Sequence, residues 1–136
     1  MPKVLIITGD AAESLEVMYP YQRLLEEGYQ VDIAAPSPEY IRNDPDVQRI
    51  VRHFMEADQP VAQLCHAAQV LAAAGTLTGR RTAAYPALAP DVAAAGAEFV
   101  DGAGVVDGQM VSARAWPDHP AWMREFIHIL RTKAPA

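Results

Sequence analysis

Residues 3–34 constrain the fold more than any other stretch. They read as strand, helix, strand with little chain left for connections. Lys3 to Thr8 (KVLIIT) is a continuous aliphatic and β-branched run of strand length, the pattern of a strand buried in a parallel sheet. Gly9-Asp10 ends it. Leu15, Met18, Tyr21 or Gln22, and Leu25 then recur at helical spacing over Ser14 to Glu27, and Gly28 suits the position just past a helix end. Pro20 lies inside this stretch; it either bends the helix or marks its first turn, and spacing leaves both open. Tyr29 to Ala34 (YQVDIA) alternates as a second strand. A β-α-β unit with such short loops points to parallel strands joined by a right-handed crossover.

The remaining pattern continues the alternation. Pro36-Ser37-Pro38 is a turn. Asp44-Pro45 gives a helix start, with Asp44 as N-cap and Pro45 in the first helical position. Val47, Ile50, Val51, Phe54 and Met55 follow on one helical face. Val61 to Leu64 is a short strand, Cys65-His66 follows it, and Ala67 to Ala74 is helix-forming up to Gly75. Arg81 to Ala84 and Ala97 to Val100 are strand-like, with an alanine-rich helix opened by Pro90-Asp91 between them. Asp107-Gly108 between two apolar runs (Val105-Val106 and Met110 to Ala113) signals a β-hairpin. Asp118 to Leu130 is a final helix, with Trp122, Phe126, Ile129 and Leu130 on one face.

The chain has 136 residues, which is one domain's worth, with 51% apolar and 21% charged residues. Its formal net charge of −6 argues against nucleic acid or an anionic membrane surface as the main partner, since phosphate binding needs a basic face. No apolar run reaches the ~18 residues of a membrane span. Nothing resembling a signal peptide precedes the first strand, so a reducing, cytoplasmic location is expected. The single cysteine excludes an internal disulfide and the paired cysteines of common metal sites.

Chemistry converges on Cys65. It follows an apolar strand and precedes a helix of small residues, a corner that exposes a nucleophile. A thiolate there is expected to meet unpaired N–H groups and the positive end of a helix dipole, which lower its pKa. His66 is placed to serve as base or polar handle. The same spacing also fits a buried structural cysteine. Trp116 and His119, in RAWPDHP, either line a pocket or form a rigid turn into the last helix, and the second reading is the more common.

The segment PVAQLCHAAQVLAAAG (Pro60 to Gly75) resembles the elbow of the ThiJ/PfpI family, cysteine-dependent members of the class I glutamine-amidotransferase-like superfamily. Thr8 to Pro36 is similar to that family's first β-α-β unit, and Pro38 to Phe54 to the helix before its elbow. Gly79 to Leu130 resembles its C-terminal half. The resemblance implies a flavodoxin-like, three-layer α/β sandwich with a mostly parallel sheet, a C-terminal hairpin and a closing helix. It implies Cys65 as nucleophile and Glu16, in SLEV, as the acid that bonds the sulfur and helps hold a thiolate. It implies His66 as the second triad member and Glu39, in SPEY, as the acidic partner lent by a neighbouring subunit. Taken as lone residues, Glu16 reads as a solvated first-turn carboxylate and Glu39 as a loop charge.

One departure from that family is large. Its second strand is followed by further strands, a crossover helix and a central strand ending in Pro-Gly-Gly. Here Ala34-Ala35-Pro36 runs almost directly into Ser37-Pro38-Glu39, and no Gly-Gly occurs in the chain. The single domain, residues 1–136, therefore reads as internally truncated near residues 36–38. The family's central strand lies beside the first strand and its glycine supplies an oxyanion donor; losing one such donor typically costs ~10²–10³ in rate. Moving the elbow strand in beside the first strand would give the order 2-1-3. Exchange of elements between two chains is one alternative, and omission of a segment that the natural protein carries is another.

The function implied is a cysteine hydrolase or a glyoxalase- or deglycase-type protein acting on small α-oxoaldehydes or peptides, with activity weakened or lost. It calls for no external cofactor and no metal, and a homodimer or larger homo-oligomer is expected. The alternative is a non-catalytic α/β scaffold or a redox-sensing thiol protein. Flavin or nucleotide binding is disfavoured, because Asp10, Glu13 and Glu16 put negative charge where a phosphate would sit.

Overall fold

The computed structural model describes residues 2–9, 13–35 and 41–136. The first unit is β1 (Lys3–Ile7), α1 (Ser14–Glu26) and β2 (Gln30–Ala34). β1 and β2 are parallel, with Val4 opposite Val31 and Ile6 opposite Ile33. α1 runs straight through Pro20, whose ring is buried. Proline has no N–H to offer the carbonyl four residues earlier, here Glu16, so α1 lacks that rung of its ladder.

α2 (Pro45–Glu56) begins as its sequence directs. The Asp44 carboxylate accepts from the Asp46 N–H at 2.8 Å and the Val47 N–H at 3.3 Å, a cap of the kind that stabilises by ~0.5–2 kcal/mol. β3 (Val61–Leu64) follows, then a 3-10 turn over Cys65–Ala67 that continues into α3 (Ala68–Ala73). β4 (Arg81–Thr82) and β5 (Glu98–Phe99), either side of α4 (Ala89–Ala94), form a short parallel pair. β6 (Val105–Asp107) and β7 (Met110–Ala113) form the expected hairpin around Asp107-Gly108, with Gly108 at φ +61°. α5 (His119–Lys133) closes the chain.

Helices cover both faces of the strands. On one face Leu24 of α1 and Trp122, Phe126 and Leu130 of α5 pack on Leu64, Val111 and Ala113, with Val4, Val31 and Ala62 alongside. On the other, Val47 of α2 and Leu71 of α3 pack with Leu77 and Met110, joined by Ile7 and Val61. α1 and α2 thus lie on opposite faces of a helix–strand–helix stack, and the α/β flavodoxin-like class stands.

The strand order 2-1-3 does not. β3 pairs in parallel with β7, from Val61 opposite Met110 to Leu64 opposite Ala113, and β7 pairs with β6. β1 pairs with β2 only, and no described strand lies hydrogen-bonded between β1 and β3. Helix packing accounts for the gap. Leu24 of α1 shares one cluster with Phe126 and Leu130 of α5. Sliding β1 onto β3 would drag α1 across α5 and break that layer.

Candidate active site

Cys65 sits where β3 turns into the 3-10 segment, with its backbone at φ +61°. A non-glycine residue held there carries ~1–3 kcal/mol of strain. The surroundings fix it. β3 is tied to β7 on the way in, Ala68 and Leu71 are buried on the way out, and the Tyr85 N–H donates to the Cys65 carbonyl at 3.0 Å. At this corner Cys65 is half-buried, packed against the apolar cluster that includes Leu64 and Trp122.

Two predicted partners reach that sulfur. His66 Nδ1 lies 3.2 Å from Cys65 Sγ. Glu16, in the first turn of α1, is hydrogen-bonded to Cys65 through its carboxyl group. Sequence spacing did not reveal a third contact: the exposed ring of Tyr85 stacks on His66 with centroids 4.9 Å apart and planes 22° apart. A ring contact between positions so far apart in sequence leaves no local signal. Glu39 lies outside the described residues, as does Asp10.

The electrostatics run opposite to the expected helix-dipole effect. Burial pushes the Cys65 thiol up to about 12; the negative charge of Glu16 and the hydrogen bond to it add to this, against a smaller opposing effect of the His66 backbone N–H. Glu16 is itself raised, chiefly by burial, while its bond to Cys65 works in the other direction. The reason is local. α3 starts only at Ala68 and has six residues, so the charge nearest the sulfur is a carboxylate rather than a helix terminus. Two acidic groups in contact share one proton most stably. It rests on sulfur, the weaker acid.

Trp116 and His119 do not form a common pocket. Trp116 is 58% exposed and His119 only 4%. His119 is stacked on Tyr19 at 5.4 Å. The Trp116–Asp118 segment is a 3-10 turn into α5, pinned by Arg114, whose Nε and a terminal nitrogen donate to the Asp118 carboxylate at 2.8 and 2.9 Å. A cleft of about 460 Å³ on the far side of α3, between Gln69, Leu88 and Asp91, contains none of Cys65, His66 and Glu16. Among the described residues no three His, Cys, Asp or Glu side chains are grouped to hold a metal ion, and no helix is long and apolar enough to cross a membrane.

The fold and the corner define an α/β protein of the nucleophile-elbow kind. The chain belongs to the DJ-1/PfpI family, whose model matches residues 35–129. It is 34% identical to the deglycase PH1704 of Pyrococcus horikoshii over 165 aligned positions, covering 95% of this chain and 99% of that protein. Since this chain has 136 residues, that alignment includes positions of the relative that face no residue here. It is 39% identical to protein/nucleic acid deglycase 2 of Escherichia coli over 95 residues, or 69% of this chain and 55% of that one. The fold is shared with a ThiJ/PfpI domain protein from Brachyspira murdochii (TM-score 0.87, 13% identity, 96% of each chain). It is shared also with DJ-1beta of Drosophila melanogaster (TM-score 0.79, 17% identity, all of both chains).

Proposed function

We propose that this chain carries out slow, cysteine-dependent carbonyl chemistry of the deglycase or glyoxalase type on small α-oxoaldehydes. One observation carries the reading: Cys65, held at φ +61°, has His66 Nδ1 at 3.2 Å and the Glu16 carboxyl bonded to the same sulfur. The names of its relatives as deglycases support the substrate class. Cys65 loses its proton to His66 or Glu16 and adds to the aldehyde carbon of methylglyoxal. The carbonyl oxygen takes a proton and a hemithioacetal results. His66 then removes the C–H proton and returns it to the neighbouring carbon, giving a lactoyl thioester. Water hydrolyses that to lactate and the free thiol. The net reaction adds one water and needs no outside oxidant or reductant.

Two features make the reaction slow. A thiol near 12 leaves a minute thiolate fraction at neutral pH. The chain also lacks, on this reading, an internal segment near residues 36–38 that would complete the site. Support comes from the aligned length exceeding the chain length, and from a family match that begins only at residue 35. A homo-oligomer in which a neighbour lends Glu39 belongs to the same proposal, and light scattering reports it. Lactate formed from methylglyoxal is the test. Wild type is expected to give a slow, steady yield that Cys65→Ala abolishes; equal yields from both would end the proposal.

The raised thiol favours a second reading, a scaffold that keeps the fold without turnover. It predicts one alkylation per chain and no continuing product. The same raised thiol counts against a redox sensor, which needs a readily formed thiolate.

A further inference from the structure

We infer that His119 is a positioning residue for the Cys65 site: its buried, neutral ring seats the first turn of α1 through Tyr19, so that Glu16 stays on the sulfur, and protonation of that ring releases the turn. The turn has little of its own to hold it. Glu13 stands at its N-cap without a side-chain hydrogen bond, and Pro20 denies the Glu16 carbonyl its helical donor. Leu15, in the same turn, is exposed. The hold comes from one residue further on. Tyr19 lies three positions beyond Glu16, so the two side chains are neighbours on one side of α1. Tyr19 packs against the same apolar cluster as Cys65. Its ring stacks on His119, at the start of α5, with centroids 5.4 Å apart and planes 27° apart. Fixing Tyr19 to α5 therefore fixes Glu16 beside Cys65.

The imidazole is placed to do this only while neutral. His119 is buried, its ring lies 5.9 Å from that of Trp122, and among the described residues its Nε2 has no hydrogen-bond partner. A neutral ring can leave one nitrogen silent. An imidazolium makes both nitrogens donors, and a buried charged donor without an acceptor is costly. The charged groups that face it are Glu13, at the head of α1, and Asp118, in the turn before α5, which Arg114 already engages. Tyr19 is the titratable ring stacked on it, and Trp122 carries no titrating group. Burial outweighs the two carboxylates and holds His119 below the usual histidine range. A depressed imidazole leaves the fold at full strength above its unfolded value of ~6.5 and weakens it as the pH falls from there through the folded value. The proton is taken up by a ring that leaves the stack, and the first turn of α1 loses its seat.

The test uses the full chain and reads no turnover, so it stands or falls apart from the proposed carbonyl chemistry. At pH 8, His119→Ala is expected to react with iodoacetamide about tenfold faster at Cys65 than wild type, one pKa unit's worth, and to add nothing to the gain of Glu16→Gln in the double variant. His119→Phe keeps a flat ring without a titrating nitrogen and should restore the wild-type rate. A His119→Ala rate equal to wild type, a gain that adds to that of Glu16→Gln, or a His119→Phe rate as fast as His119→Ala would each refute the positioning role. The release is read separately. The His119 ring resonance is followed against pH, together with amide hydrogen exchange at Met18 and Tyr19. The midpoint is expected below ~6.5. Beneath it the two amides should exchange about tenfold faster in wild type than in His119→Phe, with no difference at pH 8. A midpoint at or above ~6.5, or equal exchange in the two chains beneath it, would overturn the release, and this comparison needs only the conservative variant to fold.

Discussion

The two strand units of this molecule are buried very differently. In the body, β7 is buried along its whole length, with Met110, Val111, Ser112 and Ala113 all at 0% exposure, and α5 contributes seven buried residues. In the β1-α1-β2 unit, Leu5 of β1 and Ile33 of β2 are 43% and 45% exposed, and Leu15, Met18 and Leu25 of α1 are similarly uncovered. Both units are rich in strand- and helix-forming apolar residues. What separates them is neighbours: among the described residues β7 has a strand on each side, while β1 has one. An apolar sequence is thus only as buried as its strand pairing allows.

Deep truncation in the body breaks the comparison most severely. Met110→Ala empties a site with no solvent contact and is expected to cost ~2–5 kcal/mol in urea unfolding. A cost near that of a surface change would mean the body is no better packed than the first unit. Glu16→Gln tests the seam where the two units meet. Glu16 raises the Cys65 thiol, so removing its charge should lower the thiol's pKa and speed iodoacetamide alkylation at pH 8 by about tenfold, one pKa unit's worth. Slower alkylation would show Glu16 donating a proton to a thiolate, as the resemblance implied.

Asp118→Asn probes the charge that fixes the body's last turn. The Arg114 guanidinium holds the Asp118 carboxyl below the usual aspartate range. A depressed carboxylate stabilises the fold above its unfolded pKa, and that stabilisation is lost as the pH falls through the folded value. The variant should therefore be less stable than wild type at pH 7, with the difference shrinking as acid titrates Asp118. A difference constant down to low pH would contradict the ion pair. Leu5→Ala, in the half-covered unit, should shift stability by no more than ~0.5 kcal/mol.

Much of the fold was legible because its signals are local. Asp44-Pro45 announced α2, Asp107-Gly108 announced the hairpin, and the strand-to-helix change at Leu64-Cys65 announced the corner. The strand order was not, because KVLII reads as a strand buried on both faces whether or not a second neighbour is present. Pairing depends on where α1 and α5 hold their strands, and no window of sequence records that. At the site, the meeting of Cys65, His66 and Glu16 followed from resemblance. The stacking of Tyr85 on His66 and the sign of the thiol's shift did not. The first is a long-range ring contact; the second depends on how deeply a sulfur and a carboxylate are buried together.

The central claim is that the Cys65 corner is assembled but keeps its thiol protonated. The rate of Cys65 alkylation by iodoacetamide, measured against pH on the wild-type chain, tests it most directly. The account predicts a rate still rising at the highest accessible pH, toward a midpoint of about 12. A midpoint at or below the free cysteine value of ~8.5 would contradict it and restore the corner as an activated nucleophile.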